Sequence, residues 1–262
     1  MAVLWRLFWL VGAWLLSGAA IAATQIRVFT TDYPPYAAPD LPNGGGAVQM
    51  LREVLQPFGY SVEVDFLPWA RLAGELKLQR YDLVLLAWPG DLSQHALVPS
   101  SPWFISRLGM FVRRDQFRKQ GRSIKALQGQ RVGAVRDYAY PPQILSAGLQ
   151  LELGSSDEQN LRKLAARRFD YALLEHVVGR YLLKQQIAEV NVDQIVWQEP
   201  SLAELPLHVG VVPGRPSSTM LLQALELGFQ AYKRDGRYRR LLDQHQLDGV
   251  PEPRAQRPGV MP

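Results

Sequence analysis

Short apolar runs alternate with segments of helical period from residue 25 onward. The first three runs, which predict strands, are QIRVF at 25–29, SVEVDF at 61–66 and DLVLLA at 82–87. Between them, apolar residues recur at helical spacing in AVQMLREVLQPF (47–58) and WARLAGELKLQ (69–79). This alternation favours an α/β fold with mostly parallel strands. Right-handed crossovers would cover the sheet faces with helices and leave the carboxyl ends of the strands free for a ligand.

A second series of strand and helix patterns begins near Gly129. Strands are predicted at RVGAV (131–135), DYALLE (170–175) and QIVWQ (194–198), and helices at DEQNLRKLAARR (157–168) and HVVGRYLLKQ (176–185). Ser155 and Ser156 are both candidates for the N-cap of the first of these helices, because a hydroxyl there accepts a bond from a free N–H group of the first turn. The chain therefore holds two α/β units of similar design.

Two extended apolar segments, GMFVRR at 109–114 and PLHVGVVP at 206–213, bracket the second unit. They indicate two hinge strands that join two lobes. Two further helices, broken at Asp235-Gly236, return the chain to the first lobe. The last residues hold four prolines and little apolar bulk, which favours disorder. The predicted division is lobe 1 over 24–110 and 208–248, lobe 2 over 111–207, and a disordered tail over 249–262.

The first 23 residues have the composition of a secretory signal peptide. One charge, Arg6, precedes a long apolar stretch, and Ala20 and Ala22 stand where an A-x-A cleavage signal belongs. The alternative is an uncleaved membrane anchor, but the apolar run at 7–16 is short for a span, which needs about 20 apolar residues. We therefore predict a signal peptide over residues 1–23, cut after Ala22 or Ala23, and a location in the periplasm.

Composition limits the classes of function. The 262 residues include no cysteine, so an exported form cannot rely on disulfides and its core must supply the stability; a hydrophobic content of 47% is enough for this. The formal net charge of +5 is small, and acidic residues and glutamines interrupt the basic clusters at 113–122 and 233–240. Nucleic acid is therefore not an expected partner. The four histidines stand apart in sequence, and we expect no metal or cofactor.

Aromatic residues gather directly after the predicted strands. The segment TTDYPPY at 30–36 follows the first strand, and its two prolines restrict the backbone, so that Asp32, Tyr33 and Tyr36 form a stiff wall. The ring-bearing candidates after later strands are Trp69, Trp88 and Tyr138. A cleft lined by such rings suits a flat, apolar or cationic small molecule. The other interpretation is that several of these rings fill gaps in the core.

Fewer charged side chains stand at these strand ends. They are Asp32, Arg71, Arg136, Asp137 and Glu175, and of these Asp32, Arg71, Arg136 and Glu175 are predicted to bind the ligand. Arg71 falls in the first turn of a predicted helix, where free N–H groups attract anions and a guanidinium adds a bidentate clamp; the alternative is a surface ion pair with Glu75. Glu175 ends an apolar strand, and it either receives a ligand amine or caps the following helix.

Several short motifs follow one another in a fixed order. They are Tyr33–Tyr36 (Y-P-P-[FY]), Gly59–Glu63 (G-Y-x-V-E), Gln79–Asp82, Ser100–Phe104 (S-x-P-[YW]-[FY]), Asp170–Glu175 with Tyr181–Lys184 after it, and Asp235–Tyr238 (D-G-x-Y). In this order they make almost the whole mature chain resemble the family 3 extracellular solute-binding proteins, the receptors of polar amino-acid ABC transporters. The resemblance implies a two-lobed type II periplasmic binding fold, a small-molecule ligand and an inner-membrane ABC permease as partner. It also puts Glu175 at the position of the acid that receives the ligand amine.

One motif of that family is missing. Amino-acid receptors of this type carry a T-x-E-R-like segment whose arginine clamps the ligand carboxylate, and counting back from Phe104 puts Ser93 at the arginine position. A buried carboxylate without a cationic partner costs several kcal/mol, so a standard amino acid held in the usual way is disfavoured. Either Arg71 or Arg136 replaces the clamp, or the ligand lacks a carboxylate.

Three functions remain open from the sequence. The first is a monomeric, non-enzymatic binding protein that captures a small polar or aromatic solute between its lobes, for an ABC transporter. The second is a sensory or degenerate paralogue that does not transport. The third is a periplasmic enzyme resembling cyclohexadienyl dehydratase, in which Glu175 near Arg71 serves as general acid or base.

Overall fold

A computed structural model describes most of the chain, namely residues 23–118, 123–185, 192–247, 249–251 and 253. The predicted signal peptide, apart from its last residue, and most of the predicted tail lie outside the described residues, so both stay predictions. Within the described ranges, none of the helices combines the length and the apolar character that crossing a bilayer requires.

The described residues alternate between strands and helices. The strands are β1 (Thr24–Thr30), β2 (Tyr60–Phe66), β3 (Leu83–Ala87), β4 (Val98–Pro99), β5 (Phe104–Arg113), β6 (Arg131–Val135), β7 (Gln150–Gly154), β8 (Tyr171–Glu175) and β9 (Ile195–Val211). The α-helices are α1 (Gly46–Leu55), α2 (Leu72–Lys77), α3 (Pro89–Gln94), α4 (Pro142–Leu145), α5 (Asp157–Ala165), α6 (His176–Lys184), α7 (Ser218–Arg234) and α8 (Arg237–Gln244). Short 3-10 turns occupy Pro42–Gly44, Gln56–Phe58, Trp69–Arg71, Arg114–Gln116, Ile124–Leu127 and Val192–Gln194.

Hydrogen bonding links the strands in the order β2-β1-β3-β9-β5-β8-β6-β7, with β4 beside β9. β1 runs parallel to β2 and β3, and β6 runs parallel to β7 and β8. The long strands β5 and β9 pair antiparallel with each other and with their other neighbours. The α/β fold predicted from the alternating pattern is therefore confirmed, with parallel pairs on each side of an antiparallel centre.

Strand β9 joins two halves of the sheet. Its end, from His208 to Val211, pairs with β3 and β4, whereas the part between Ile195 and Leu207 pairs with β5. We call β1 to β4 with the end of β9 the first half-sheet, and β5 to β8 with the rest of β9 the second half-sheet. In the described residues, the chain leaves the first half-sheet between β4 and β5 and returns to it within β9. The predicted hinge at 206–213 includes the change of partner in β9, whereas the one at 109–114 lies within the second half-sheet, and the division into two lobes stays a prediction.

Some sequence predictions of individual elements were wrong. The segments 194–198 and 206–213, predicted as separate strands, belong to the single 17-residue strand β9, because partly exposed residues between them interrupt the apolar pattern. Strand β7 was not predicted, since it lies at the sheet edge with Leu153 47% exposed and so lacks an apolar run. The sequence analysis also predicted no helix directly after β3, where Pro89 begins helix α3.

Helix α1 on the first half-sheet packs against α7 and α8, the last two helices of the described chain. The apolar face of α1, which includes Val48, Leu51 and Leu55, is fully buried and packs against α7 and α8. Gly236 separates α7 from α8 with φ 75°, a left-handed conformation that glycine adopts without steric cost. The predicted break at Asp235-Gly236 is confirmed, and the final helices close over the first half-sheet.

Candidate functional site

The first wall of the site is the turn that follows β1. Its backbone closes through bonds from Tyr33 N–H to the Ala37 carbonyl (2.7 Å) and from Tyr36 N–H to the Tyr33 carbonyl (3.0 Å). The rings of Tyr33 and Tyr36 stack with their centroids 5.8 Å apart, and both side chains are buried. The ring of Tyr36 also packs against that of Phe104, at the start of β5, with the two centroids 5.1 Å apart. The turn therefore presents Tyr33 to the site, while Tyr36 lies behind it in the core.

The second wall is the start of α3. Pro89 occupies the first helical position, where its missing N–H leaves no unpaired donor, and the Asp91 carboxylate turns back to accept the Trp88 N–H at 2.9 Å. The other oxygen of Asp91 accepts the indole N–H of Trp69, also at 2.9 Å. Asp91 is 3% exposed. A buried carboxylate thus accepts one hydrogen bond from each of two tryptophans. The sequence reasoning missed Asp91, although an acid three positions after the N-cap is a capping-box signal.

The third wall comes from the second half-sheet. Tyr138 follows β6, and its hydroxyl donates to the Asp157 carboxyl, 3.1 Å away at the start of α5. Its ring packs edge-on against the rings of Tyr33 and Trp88, with centroid distances of 6.3 and 5.6 Å. Tyr138 therefore contacts both walls formed by the first half-sheet. Next to it, the backbone of Gly90 approaches Ala139 so closely that a Cβ on Gly90 would stand 2.8 Å from the Ala139 Cβ. The two halves are thus in contact across the site.

These walls border two neighbouring cavities, which share the lining residues Thr31, Trp69 and Tyr138. The smaller comprises about 290 Å³ of space, part of it open to solvent, and is lined by Thr31, Tyr33, Trp69, Leu86, Trp88, Asp91 and Tyr138. The larger comprises about 930 Å³, also partly open to solvent, and is lined by Thr31, Asp32, Pro39, Phe66, Leu67, Pro68, Trp69, Ala70, Val135, Arg136, Tyr138, Ser155 and Ser156. We call the smaller one the ring cavity and the larger one the outer cleft. Both lie at the carboxyl ends of strands from both half-sheets, where α/β folds bind ligands.

Buried carboxyl groups give the site its electrostatic character. Burial raises the pKa of Asp91 to about 6, that of Asp157 to about 7 and that of Glu175 to about 8. Burial first, and then the nearby charge of Glu175, raise the pKa values of Tyr33 and Tyr36 well above the ordinary value of tyrosine. A cationic guest would relieve the cost of ionising these acids.

The structure brings together six of the nine residues predicted from the sequence. Tyr33, Trp69, Trp88 and Tyr138 line the ring cavity, and Asp32 and Arg136 line the outer cleft. Asp32 and Arg136 are both exposed to solvent. Whether these residues contact a ligand stays a prediction.

The other three predicted residues line neither cavity. Tyr36 is fully buried, and Arg71 is exposed at the end of the 3-10 turn after β2. The surface pair considered for Arg71 is not seen, because Glu75 contacts Arg80 instead, at 3.5 Å. Glu175 is 2% exposed and caps α6 by accepting the Val178 N–H at 2.7 Å. Capping is one of its two predicted roles, and ligand binding stays a prediction.

The cap predicted for α5 is also settled by hydrogen bonding. The hydroxyl of Ser156, not that of Ser155, accepts the Gln159 N–H at 3.2 Å. This cap orients the first turn of α5 and, with it, the carboxyl of Asp157 toward Tyr138. Among the described residues, no group of three or more acids and histidines is arranged to hold a metal ion.

Solved structures share this architecture. A histidine kinase sensor domain with similarity to periplasmic binding proteins is 25% identical, with a TM-score of 0.75 over 88% of this chain and 99% of its own. The chain has the fold of the periplasmic binding proteins. The substrate-binding protein of an amino acid ABC transporter matches at 17% identity and a TM-score of 0.70, over 84% of this chain and 98% of its own. An ancestral amino-acid-binding protein, described as a precursor of cyclohexadienyl dehydratase, matches at 18% identity and a TM-score of 0.67, over 84% and 94%.

The periplasmic-binding fold confirms what the resemblance to family 3 solute-binding proteins implied about architecture. No protein-family model matches the sequence, and no curated protein matches it significantly. The likeness therefore lies in the fold, and what this chain binds depends on its own side chains.

Proposed function

We propose that this chain is a non-enzymatic solute-binding protein that captures a small polar or aromatic solute in the cleft between its two half-sheets. The observation that carries the proposal is the ring cavity, in which Tyr33, Trp69 and Trp88 of the first half face Tyr138 of the second. A guest held between rings from both halves stabilises their approach, which couples binding to closure. Capture by stacking and hydrogen bonds requires no covalent step.

The proposed motion uses the two connections between the halves. We propose that 24–110 with 208–248 and 111–207 move as lobes 1 and 2, and that β5 and β9 act as the hinge strands. Support comes from the change of partner in β9 between Leu207 and His208. The close approach of Gly90 to Ala139 supports a closed form in the present structure.

Two cellular roles fit such a protein. The predicted signal peptide supports a location in the periplasm, where we propose that the protein is a monomer. The likeness to an ABC transporter substrate-binding protein supports delivery of the solute to an inner-membrane permease. The likeness to a histidine kinase sensor domain supports the second candidate, a sensory function. Uptake of labelled solute by a strain lacking the protein separates them. Lost uptake supports transport, whereas normal uptake with a lost transcriptional response supports sensing.

An enzymatic function receives less support from the side chains. The dehydratase hypothesis requires Glu175 to act as acid or base near Arg71. Arg71 is exposed, and the Glu175 carboxyl accepts hydrogen bonds from the backbone N–H groups of Val178 and Arg107, at 2.7 and 3.4 Å. A carboxyl held by backbone donors at a helix start is suited to capping. Turnover of prephenate or arogenate by the folded protein would contradict a purely binding function.

Thermal denaturation with a panel of solutes tests the proposal. A ligand at 100 times its Kd adds about 2.7 kcal/mol to the stability of the native state, which raises the melting temperature measurably. The panel should include amino acids, amines, dipeptides and aromatic acids. We expect at least one to raise the melting temperature of wild type and to lose this effect in Trp88→Leu. A panel without any shift would contradict the proposal.

A further inference from the structure

The ring cavity has an unusual balance of side chains. Four aromatic rings and one carboxylate, that of Asp91, line it, together with Thr31 and Leu86. No lysine or arginine is among these lining residues. Ring faces carry partial negative charge, and the carboxylate adds a full negative charge, so both features favour a positively charged guest.

Asp91 has capacity for a further partner. Each of its oxygens accepts one hydrogen bond, from Trp69 Nε1 and from the Trp88 N–H, and a carboxylate oxygen accepts two. These two donors hold the carboxylate in place without neutralising it. A positively charged group beside it would offset the cost of keeping a negative charge at 3% exposure.

Two donors at the site lack partners in the structure. The indole N–H of Trp88 and the hydroxyl of Tyr33 are buried and make no hydrogen bond. A buried donor left unpaired is costly, so a guest with one acceptor, such as a hydroxyl or carbonyl oxygen, would be favoured beside its cation. The cavity is therefore complementary to a small molecule with a positively charged end and a neutral polar group.

A carboxylate on the guest would meet repulsion instead. Asp91 lies in the wall, and Asp157 lies directly behind Tyr138, bonded to its hydroxyl. The basic side chain that lines the outer cleft is Arg136, which is solvent-exposed and outside the ring cavity. Like charges repel strongly at low dielectric, so an anionic group is disfavoured in the ring cavity.

We propose that the ring cavity binds an organic cation without a carboxylate, either a protonated amine or an alkylated ammonium group, with the cation held between the rings of Trp69, Trp88 and Tyr138 beside Asp91. This inference rests on the proposed solute-binding function and narrows its ligand class. Capture of a decarboxylated amine in preference to its parent amino acid follows from it.

Isothermal titration of the wild-type protein with matched pairs of probes tests the charge requirement. Choline is compared with dimethylbutanol, its neutral carbon isostere, and with glycine betaine, which adds a carboxylate; agmatine is compared with arginine, and tyramine with tyrosine. We expect at least one cation to bind at least tenfold tighter than its neutral or carboxylate-bearing counterpart.

The outcomes separate this inference from the function on which it rests. Tighter binding of the amino acids, or equal binding of choline and dimethylbutanol, overturns the cation inference and leaves solute binding intact. If no cation binds, but another solute raises the melting temperature in the wider panel, the inference alone fails. If no solute of either panel binds, both fail.

Variants of one ring test how the cation is held. Trp88→Phe keeps an aromatic face, whereas Trp88→Leu removes it. For the cation that binds wild type most tightly, the Kd of Trp88→Leu should be roughly 2- to 30-fold higher than that of Trp88→Phe, which is the range for one cation–π contact. Trp197→Phe is the matched control, because Trp197 lines neither cavity, and it should leave the Kd unchanged. Equal effects of the two Trp88 variants would contradict a cation–π contact.

A charge variant tests Asp91. Asp91→Asn removes the charge, but it also turns an NH₂ group toward one of the two N–H donors of the carboxylate, so the cation and its neutral isostere are compared in the same variant. We expect roughly 10- to 100-fold weaker binding of a cation, as for the loss of one charge-assisted hydrogen bond. Binding of the neutral isostere should not weaken in the same variant. Circular dichroism confirms that each variant is folded, and the comparison of probes on wild type decides the proposal if a variant is not.

Discussion

Replacing Glu175 with glutamine should change how the stability of the protein depends on pH. Glutamine has nearly the same shape, but it cannot ionise. In the wild type, burial raises the pKa of Glu175 from its ordinary value of 4.5 to about 8. The folded protein therefore holds this proton more tightly than the unfolded chain does, and raising the pH between these two values releases it preferentially from the unfolded chain.

The sign and the size of the effect follow from this shift. Below about pH 4.5 the group is protonated in both states and contributes nothing, whereas the wild type loses stability as the pH rises toward 8, after which the loss is constant. Since one pKa unit corresponds to 1.36 kcal/mol, the change attributable to Glu175 between about pH 5 and pH 9 is on the order of 4 kcal/mol. Asp157 and Asp91 also have raised pKa values and act in the same direction, but they are present in both proteins.

Urea denaturation of wild type and Glu175→Gln at several pH values, followed by circular dichroism, measures the difference. The amide of glutamine presents an NH₂ group to one of the two backbone N–H groups that the carboxyl now serves, which costs about 1 to 3 kcal/mol at every pH. We therefore expect the variant to be less stable near pH 5 and equally or more stable near pH 9. The constant cost cancels in the comparison between pH values, so the change in the difference is the quantity of interest.

The reasoning would be refuted if the free energies of unfolding of the two proteins changed in parallel with pH. This result would mean that Glu175 ionises with the same pKa in both states, and therefore that it is hydrated in the folded protein despite its burial of all but 2% of its surface. A curve for wild type that rises with pH relative to the variant would refute the sign, and would indicate a buried cationic partner for Glu175.

Three further predictions concern single contacts. Gly90→Ala places a Cβ against Ala139, and such overpacking costs about 1 to 3 kcal/mol. Binding of a stabilising solute should therefore weaken roughly 5- to 150-fold, and the radius of gyration measured by small-angle scattering should increase. An unchanged affinity and an unchanged radius of gyration would contradict the closed contact. Ser156→Ala removes the cap of α5 and should lower the free energy of unfolding by about 0.5 to 2 kcal/mol in urea, whereas an unchanged midpoint would show that the cap contributes nothing. Trp69→Phe removes the indole donor to Asp91, so the pKa of this carboxyl should rise above about 6 in an NMR titration, and a lower value would contradict the assigned bond.

The site could be predicted from the sequence in part. Tyr33, Trp69, Trp88 and Tyr138 were found because each directly follows a predicted strand, and the carboxyl ends of neighbouring strands meet at one edge of the sheet. Tyr36 follows the same strand as Tyr33 but faces the core, because the turn reverses the chain between them. Asp91 was missed because its partner Trp69 lies 22 residues away, and no local pattern reports that contact.

The sequence by itself determined the local order of strands and helices, the break at Gly236 and the concentration of rings after the strands. These features depend on side-chain periodicity, capping and proline geometry, which act over a few residues. Only the tertiary structure decided which rings share a cavity, which carboxyl groups are buried with them, and that β9 continues through both halves of the sheet. Such contacts join residues far apart in the chain, and their energy depends on burial and on the order of strands, which a linear pattern does not encode.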